Sequence, residues 1–287
     1  MTVLEALNWG IHYLRDHQIQ NPRLQAELLL ACSMNLKREG LYLCFHQPMG
    51  KEEEEKFKSL ILRRASREPL QYLLGYQEFW SIPFKVDSRV LIPRPETEHL
   101  VEEGISILSK NPSERSPVVL ELGTGCGAIA ISLARELKNL TLIATDLSKE
   151  AIEVAKENAK DSGVGDRILF LVGDLFEPFS PFKRPFDLIV SNPPYIKNSE
   201  IDRLAREIKD YEPLMALKGG EDGLNFYRQI ISQAPHYLKE GGWLLLEMGE
   251  GQGERVSELI ESTGEFKSPI LLKDLAGIER VIKAQRL

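Results

Sequence analysis

From Pro117 onward the chain alternates short apolar runs with helical patterns, and no other feature narrows the fold as much. Val118–Leu122 reads as a buried strand, residues 128–137 as a helix, residues 140–145 as a strand and residues 149–160 as a helix. Strands are predicted at Ile168–Val172 and residues 186–190, a helix at 224–238, a strand at 243–247 and a helix at 255–262. Residues 266–272 and 280–284 supply two closing strands. Parallel neighbours require crossovers long enough to hold a helix, so the pattern predicts an α/β fold with a largely parallel sheet covered on both faces.

The residues before this alternation have a different texture. Leu4, Leu7, Ile11 and Leu14 recur at steps of three and four, which marks the apolar face of a helix. Leu24, Leu28, Leu29 and Ala31 do so again after Asn21-Pro22, where Asn21 is expected to cap and Pro22 to fill the first turn. The acidic run 51–56 reads as a solvated face and leads into Phe57, Leu60, Ile61 and Arg64, a third amphipathic helix. Residues 1–73 are thus expected to form a small helical bundle. Residues 74–95 are dense in β-formers, among them Phe79, Trp80, Ile82, Phe84, Val90 and Ile92, and predict a linking β-hairpin. A helix is expected to begin near Glu96, opening the α/β domain over residues 96–287.

Composition excludes several classes. Hydrophobic residues at 43% and charged residues at 28% of 287 positions are enough for a packed core. A net charge of −7 is the wrong sign for a protein that grips nucleic acid through many phosphates, so no direct nucleic-acid binding is expected. An acidic surface suits a small molecule or a basic protein partner better. Cys32, Cys44 and Cys126 have no C-x-x-C spacing, which argues against a disulfide framework or a zinc site and for a reducing compartment. No apolar run approaches the roughly 18 residues of a membrane span, and the first residues are amphipathic rather than signal-like. A cytoplasmic monomer is the expectation.

The first strand of the alternating region runs into Glu121-Leu122-Gly123-Thr124-Gly125-Cys126-Gly127. Glycines let a backbone turn sharply and let a ligand approach the main chain, and the amides opening the next helix attract anionic groups. The second strand ends at Asp146, placed to accept hydrogen bonds from a ribose diol. Loop and acid together predict a nucleoside cofactor, and leave NAD and S-adenosylmethionine both open.

The strand 186–190 delivers Asn192-Pro193-Pro194-Tyr195 to the carboxyl edge of the sheet, where open α/β sheets bind ligands. The Asn192 side chain offers a carbonyl acceptor, and Pro193, lacking an N–H, still offers its C=O. Consecutive prolines stiffen the backbone and hold both acceptors in place. Tyr195 adds a flat face for stacking. Such a set suits a planar –NH2 group, which has two hydrogens to donate, with its nitrogen aimed at a methyl donor.

With both motifs in place, the sequence resembles the class I S-adenosylmethionine-dependent methyltransferases with an N-P-P-Y motif. More narrowly it is similar to the release factor glutamine methyltransferases, the HemK/PrmC family. Glu68-Pro69-Leu70-Gln71-Tyr72, Gly75 and Phe79-Trp80 are similar to that family's interdomain segment. Leu91-Ile92-Pro93-Arg94-Pro95-Glu96-Thr97-Glu98 is similar to its most specific signature. Glu212-Pro213, Ala216-Leu217, Asp274-Leu275-Ala276-Gly277 and Arg280 resemble its C-terminal landmarks. The resemblance implies a Rossmann-like domain after an N-terminal helical bundle and a linking hairpin. It implies S-adenosylmethionine as cofactor and peptide chain release factors as protein substrate, methylated on the glutamine of a Gly-Gly-Gln loop.

On that resemblance Gly123, Thr124, Gly125, Cys126 and Gly127 line the cofactor loop, Asp146 holds the ribose, and Asp174 and Leu175 contact the adenine. Leu175 stands where many of those relatives carry Trp, so this chain has no ring for stacking there. Asn192, Pro193, Pro194 and Tyr195 would bind the glutamine side chain, with Asn192, Pro193 and Tyr195 as the catalytic set and Asn192 also beside the cofactor. Arg94 and Glu98 either reach the site or hold the hairpin. Three other readings remain at this stage: an amino-group methyltransferase acting on adenine or guanine, an NAD-dependent oxidoreductase that leaves the tetrapeptide without a role, and a non-catalytic scaffold.

Overall fold

The computed structural model describes residues 1–110, 115–179 and 186–287. The chain divides into two compact units, Met1–Tyr76 with Ala205–Tyr211, and Gln77–Leu204 with Glu212–Leu287.

The first unit is helical: α1 (Val3–Asp16), α2 (Pro22–Ser33), α3 (Leu41–Cys44), α4 (Lys51–Ala65) and α5 (Leu70–Leu74). Thr2 starts α1 with a reciprocal cap, its hydroxyl accepting from the Glu5 amide while the Glu5 carboxylate accepts from the Thr2 amide. Asn21 precedes α2, but its side chain makes no capping bond. With φ at 49° it takes the left-handed conformation that Asn tolerates, rather than the extended one that aims a cap at the first turn. In α2 the buried face is Ala26, Glu27, Leu29, Leu30, Ala31 and Ser33, and Leu24 is exposed. An unbroken Leu28-Leu29-Leu30 run makes that register hard to read. Helix α4 buries Phe57, Leu60, Ile61 and Arg64, the spacing the sequence predicts. Arg64 is satisfied in the core by Gln25 Oε1 at 2.7 Å, the Glu68 carbonyl at 3.1 Å and Glu207 Oε1 at 3.0 Å. Glu207 comes from the stretch 205–211, which the sequence does not mark as part of this unit.

Strands β1 (Tyr76–Phe79) and β2 (Ile82–Lys85) form the hairpin. Trp80 and Ser81 turn it with φ values of 52° and 56°, the left-handed pair that a two-residue hairpin turn needs. Pairing stops at Lys85 although β-formers continue to Ile92. The Asp87 carboxylate takes the Arg89 amide into a local turn, and Pro93 and Pro95 have no ladder donor. Glu98 Oε1 accepts from the Trp80 amide at 2.7 Å, and Glu136 Oε1 from the Trp80 indole at 2.9 Å, which fastens the hairpin turn.

The rest of the second unit runs α6 (Glu98–Lys110), β3 (Val118–Leu122), α7 (Ala128–Glu136), β4 (Thr141–Asp146), α8 (Lys149–Asp161), β5 (Ile168–Val172) and β6 (Phe186–Ser191). Helix α9 (Arg206–Lys209) belongs to the first unit. The chain ends with α10 (Asn225–Gln233), β7 (Leu238–Glu247), α11 (Gly253–Ser262), β8 (Ile270–Lys273) and β9 (Glu279–Gln285). Helix α10 is shorter than the sequence suggests, because Pro235 lacks the N–H to continue it, and residues from Leu238 onward join β7.

The sheet has seven strands in the order β5-β4-β3-β6-β7-β9-β8. Strands β5 to β7 are parallel across the centre, and β9 pairs antiparallel with both β7 and β8. Leu120 and Leu122 of β3, Ile189 of β6 and Leu244 and Leu246 of β7 pack with Tyr227, Ile230 and Ile231 of α10 and Val256 and Ile260 of α11. Glu121 points to the other side, toward α7. From β3 the chain moves outward through β4 and β5, then returns to the other side of β3 as β6. That reversal, in a Rossmann-like sheet, opens a crevice at the carboxyl ends of β3, β4 and β6.

Candidate functional site

Strand register decides which residues meet in this crevice. Leu122 pairs with Thr145 on one side and Ser191 on the other, and Ser191 pairs with Leu246. The next residues, Gly123, Asp146, Asn192 and Glu247, therefore stand at one level along the carboxyl edge of the sheet. The Ser191 hydroxyl donates to the Leu122 carbonyl at 2.7 Å and locks the exits of β3 and β6 together.

A cavity opens over this edge. Gly123, Thr124, Gly125, Cys126, Asp146, Asp174, Leu175, Asn192, Pro193 and Pro194 all line it. Gly127 and Tyr195 stand outside the lining. Gly127 is the residue before α7, at φ 86°, and a Cβ there would sit 2.8 Å from Ile131 Cδ1 and 3.3 Å from Ala155 Cβ. Its bareness serves helix packing. Arg94 and Thr97 line the cavity, while Glu98 is occupied with Trp80.

The loop is built by its own acids. Gly125 donates its amide to Asp146 Oδ2 at 2.8 Å, Ser148 donates to Oδ1 at 2.9 Å, and the Thr124 amide donates to the Thr145 carbonyl at 2.9 Å. Burial raises the Asp146 pKa, against the pull of those amides. Thr124 is buried and turns its hydroxyl to Glu121 Oε2 at 2.7 Å, and the same oxygen accepts the Ala130 amide in the first turn of α7 at 3.1 Å. Burial pushes the Glu121 carboxyl up to about 8, opposed by those two bonds and aided by the charge of Asp146. Cys126 is also buried, its thiol pushed up to about 12 chiefly by desolvation, so it is no nucleophile. Its carbonyl accepts from Asn158 Nδ2 at 2.9 Å.

The tetrapeptide is held from behind. Gln252 Nε2 donates to the Tyr195 carbonyl at 3.1 Å, and Gln252 Oε1 accepts from the Gly249 amide at 3.0 Å. Gly219 lies so close that a Cβ would stand 2.7 Å from Tyr195 Cα. Burial, then the charge of Glu247, pushes the Tyr195 phenol up to about 12, so it stays neutral. Asn192 Nδ2 donates to Thr97 Oγ1 at 3.1 Å. At the rim Arg94 Nη2 meets Glu212 Oε1 at 2.6 Å, and the buried Glu212 carboxylate also accepts the Ile92 amide at 3.4 Å.

Reading the motifs alone overlooks Thr97, Glu121, Glu212, Glu247 and Gln252. Three were within reach: Thr97, Glu121 and Glu212 sit inside quoted signature segments. Glu247 and Gln252 give no local signal, because their partners are 55 and 57 residues away in sequence (247 − 192 and 252 − 195).

Two known families match parts of the chain. Residues 5–75 match the family described as PrmC N-terminal domain, and residues 98–210 match the one described as Methyltransferase small domain. The release factor glutamine methyltransferase of Geobacter sulfurreducens is 42% identical over 98% of this chain and 95% of its own. That of Rhodopirellula baltica is 39% identical over 99% and 96%, and that of Bacillus cereus 36% identical over 99% of both chains. Among solved structures, a methyltransferase from Pyrococcus furiosus superposes with a TM-score of 0.53 at 17% identity, covering 78% of this chain and 98% of its own. The human methyltransferase 10 domain containing protein superposes with a TM-score of 0.54 at 17% identity, covering 79% and 96%. These two share the fold. With near-complete coverage by relatives more than a third identical, the chain is a methyltransferase and belongs to the release factor glutamine methyltransferase family.

Proposed function

We propose that this chain methylates the side-chain amide nitrogen of the glutamine in the Gly-Gly-Gln loop of peptide chain release factors, with S-adenosylmethionine as donor. The observation that carries the reading is the convergence of Asn192, Pro193 and Pro194 with the glycine loop and Asp146 in one cavity.

The residues present fit that donor. Gly123 and Gly125 have φ of 72° and 56°, and beyond their flanking residues no described atom lies within 4 Å of where a Cβ would stand at either. Open space thus borders the loop, and its backbone is free to face a ligand. Each Asp146 oxygen accepts one backbone amide and keeps a lone pair for a ribose diol. Asp174 and Leu175 line the same cavity at the end set aside for the adenine, and Asp146 offers it a carboxylate suited to a cationic ligand. When bound, S-adenosylmethionine supplies an electrophilic methyl group on a positively charged sulfur.

The residues of the chain do the rest. A carboxamide nitrogen is a poor nucleophile because its lone pair is delocalised into the carbonyl. No Asp, Glu or His lies in the tetrapeptide to serve as a base. Asn192 Oδ1 and the Pro193 carbonyl accept the two N–H groups, fix the nitrogen's direction and stabilise positive charge as it grows there. Tyr195 supplies a planar face beside them. An N-protonated amide is strongly acidic, so its proton leaves to water without a dedicated base.

The test is transfer of labelled methyl from S-adenosylmethionine to purified release factors, with bulk RNA and DNA as parallel acceptors. Label on a release factor glutamine is the expected result. Label on nucleic acid with none on release factor would overturn the substrate.

A further inference from the structure

Behind the tetrapeptide lies a charged group to which the mechanism above gives no task. Glu247 ends β7 beside the exit of β6, since its predecessor Leu246 pairs with Ser191. It is 2% exposed, and its Oε2 has no hydrogen-bond partner among the described residues. Thr97 and Asn192 lie near enough to the carboxylate to oppose the rise of its pKa. The Asn192 amide nitrogen also donates to Thr97 Oγ1. The Asn192 –NH2 is thereby turned to the protein side, and Oδ1 is left for the cavity that Asn192 lines.

The polarity of this chain of bonds matters. A carboxamide has two nearly isosteric orientations, and the flipped one would present hydrogens to a substrate group that itself brings only hydrogens. Thr97 cannot decide between them, because a hydroxyl both donates and accepts. An ionised carboxylate only accepts. Beside an ionised Glu247 the Thr97 hydroxyl turns its hydrogen toward the carboxylate, which leaves its oxygen to accept from Asn192.

We propose, on the basis of the amide methylation argued above, that Thr97 and Glu247 are positioning residues that fix the Asn192 carboxamide with Oδ1 facing the substrate nitrogen. The carboxylate behind the amide also polarises it and makes Oδ1 a stronger acceptor. Other groups facing Glu247 are the phenols of Tyr195 and Tyr227, the Glu96 carboxylate and the Arg280 guanidinium. Burial, with Glu96 adding to it and Thr97, Arg280 and Asn192 opposing, raises Glu247 to about 7. Protonation turns it into a donor and removes the constraint on Thr97.

The experiment is steady-state methyl transfer to a purified release factor by the wild-type chain, Glu247→Gln, Thr97→Val and Thr97→Ser, across a pH range spanning 7. Glu247→Gln and Thr97→Val should each lose roughly tenfold or more in kcat, with the KM for S-adenosylmethionine unchanged. Thr97→Ser should retain most of the rate, since it keeps the hydroxyl. Wild-type kcat should fall as pH drops through about 7, and Glu247→Gln should lose that limb while keeping any due to Glu121 or Asp146. A Glu247→Gln chain with wild-type kcat and a superimposable pH profile overturns the positioning role alone. No transfer by the wild-type chain overturns the function beneath it.

Discussion

The Gly125 amide donates to Asp146 Oδ2 at 2.8 Å, so the acid that ends β4 also shapes the loop that follows β3. Sequence motifs treat the loop and the acid as separate signals, but they are parts of one turn. Asp146→Asn would set an –NH2 against one of the two amides that now donate to the carboxylate. Affinity for S-adenosylmethionine should fall at least about tenfold, ~1.4 kcal/mol, from loop distortion and loss of a ribose acceptor. Titration calorimetry would read this directly. An unchanged dissociation constant would remove Asp146 from the cofactor site.

Asn192→Ala removes an acceptor that acts on the reacting nitrogen. Turnover should drop by roughly a hundredfold or more, about the effect of deleting one preorganised hydrogen-bonding group in other enzymes. Cofactor affinity should change less than turnover, because the loop at 123–127 is untouched. Single-turnover transfer by the variant at near wild-type rate would show that the carboxamide is dispensable.

Gly219→Ala tests the tetrapeptide from its other side. The new methyl would lie 2.7 Å from Tyr195 Cα, 2.8 Å from Tyr195 C and 2.9 Å from the Pro194 carbonyl oxygen. Those are backbone atoms and cannot rotate away, so the loop itself must move. A displacement near 1 Å at a reacting centre costs on the order of a hundredfold. The variant should bind cofactor normally and transfer methyl poorly, a split visible by comparing calorimetry with kcat.

Buried acids set the pH dependence of folding. Glu121 is raised to about 8 and Glu247 to about 7, both from the ordinary value of 4.5, chiefly by burial. Between pH 4.5 and about 8 the folded chain holds protons that the unfolded chain has released. Stability of the cofactor-free chain should therefore fall as pH rises through that window. Glu121→Gln should flatten the trend. Thermal midpoints at pH 5.5, 7 and 8.5 would check it, and a midpoint that climbs with pH would contradict the assignment.

Much of the second unit was legible because its signals are local. The strand at Ile168–Val172 and the helix opening at Lys149 lie where periodicity puts them, and Gly123, Asp146 and Asn192 converge because parallel register aligns strand ends. What could not be read depends on long-range packing. The carboxylates of Glu247 and Glu212 look like any others in the sequence, yet one sits behind Asn192 and the other under Arg94. Asn21 carries a capping residue's identity without capping, since its left-handed backbone does not aim the side chain at the first turn of α2. Past Lys85 the β-formers do not pair: Val90 and Ile92 are buried as loop, and burial rather than strand formation explains their apolarity.

The stretch Ala205–Tyr211 lies more than a hundred residues after the bundle to which it belongs, and Arg64 of that bundle reaches Glu207 within it. Tyr211 adds a bond from its hydroxyl to the Ser66 carbonyl at 2.9 Å. No single cut of the chain therefore releases either unit whole. A chimaera that exchanges the bundle between relatives must carry this distant heptapeptide with it, and Arg64 and Glu207 should be inherited as a pair.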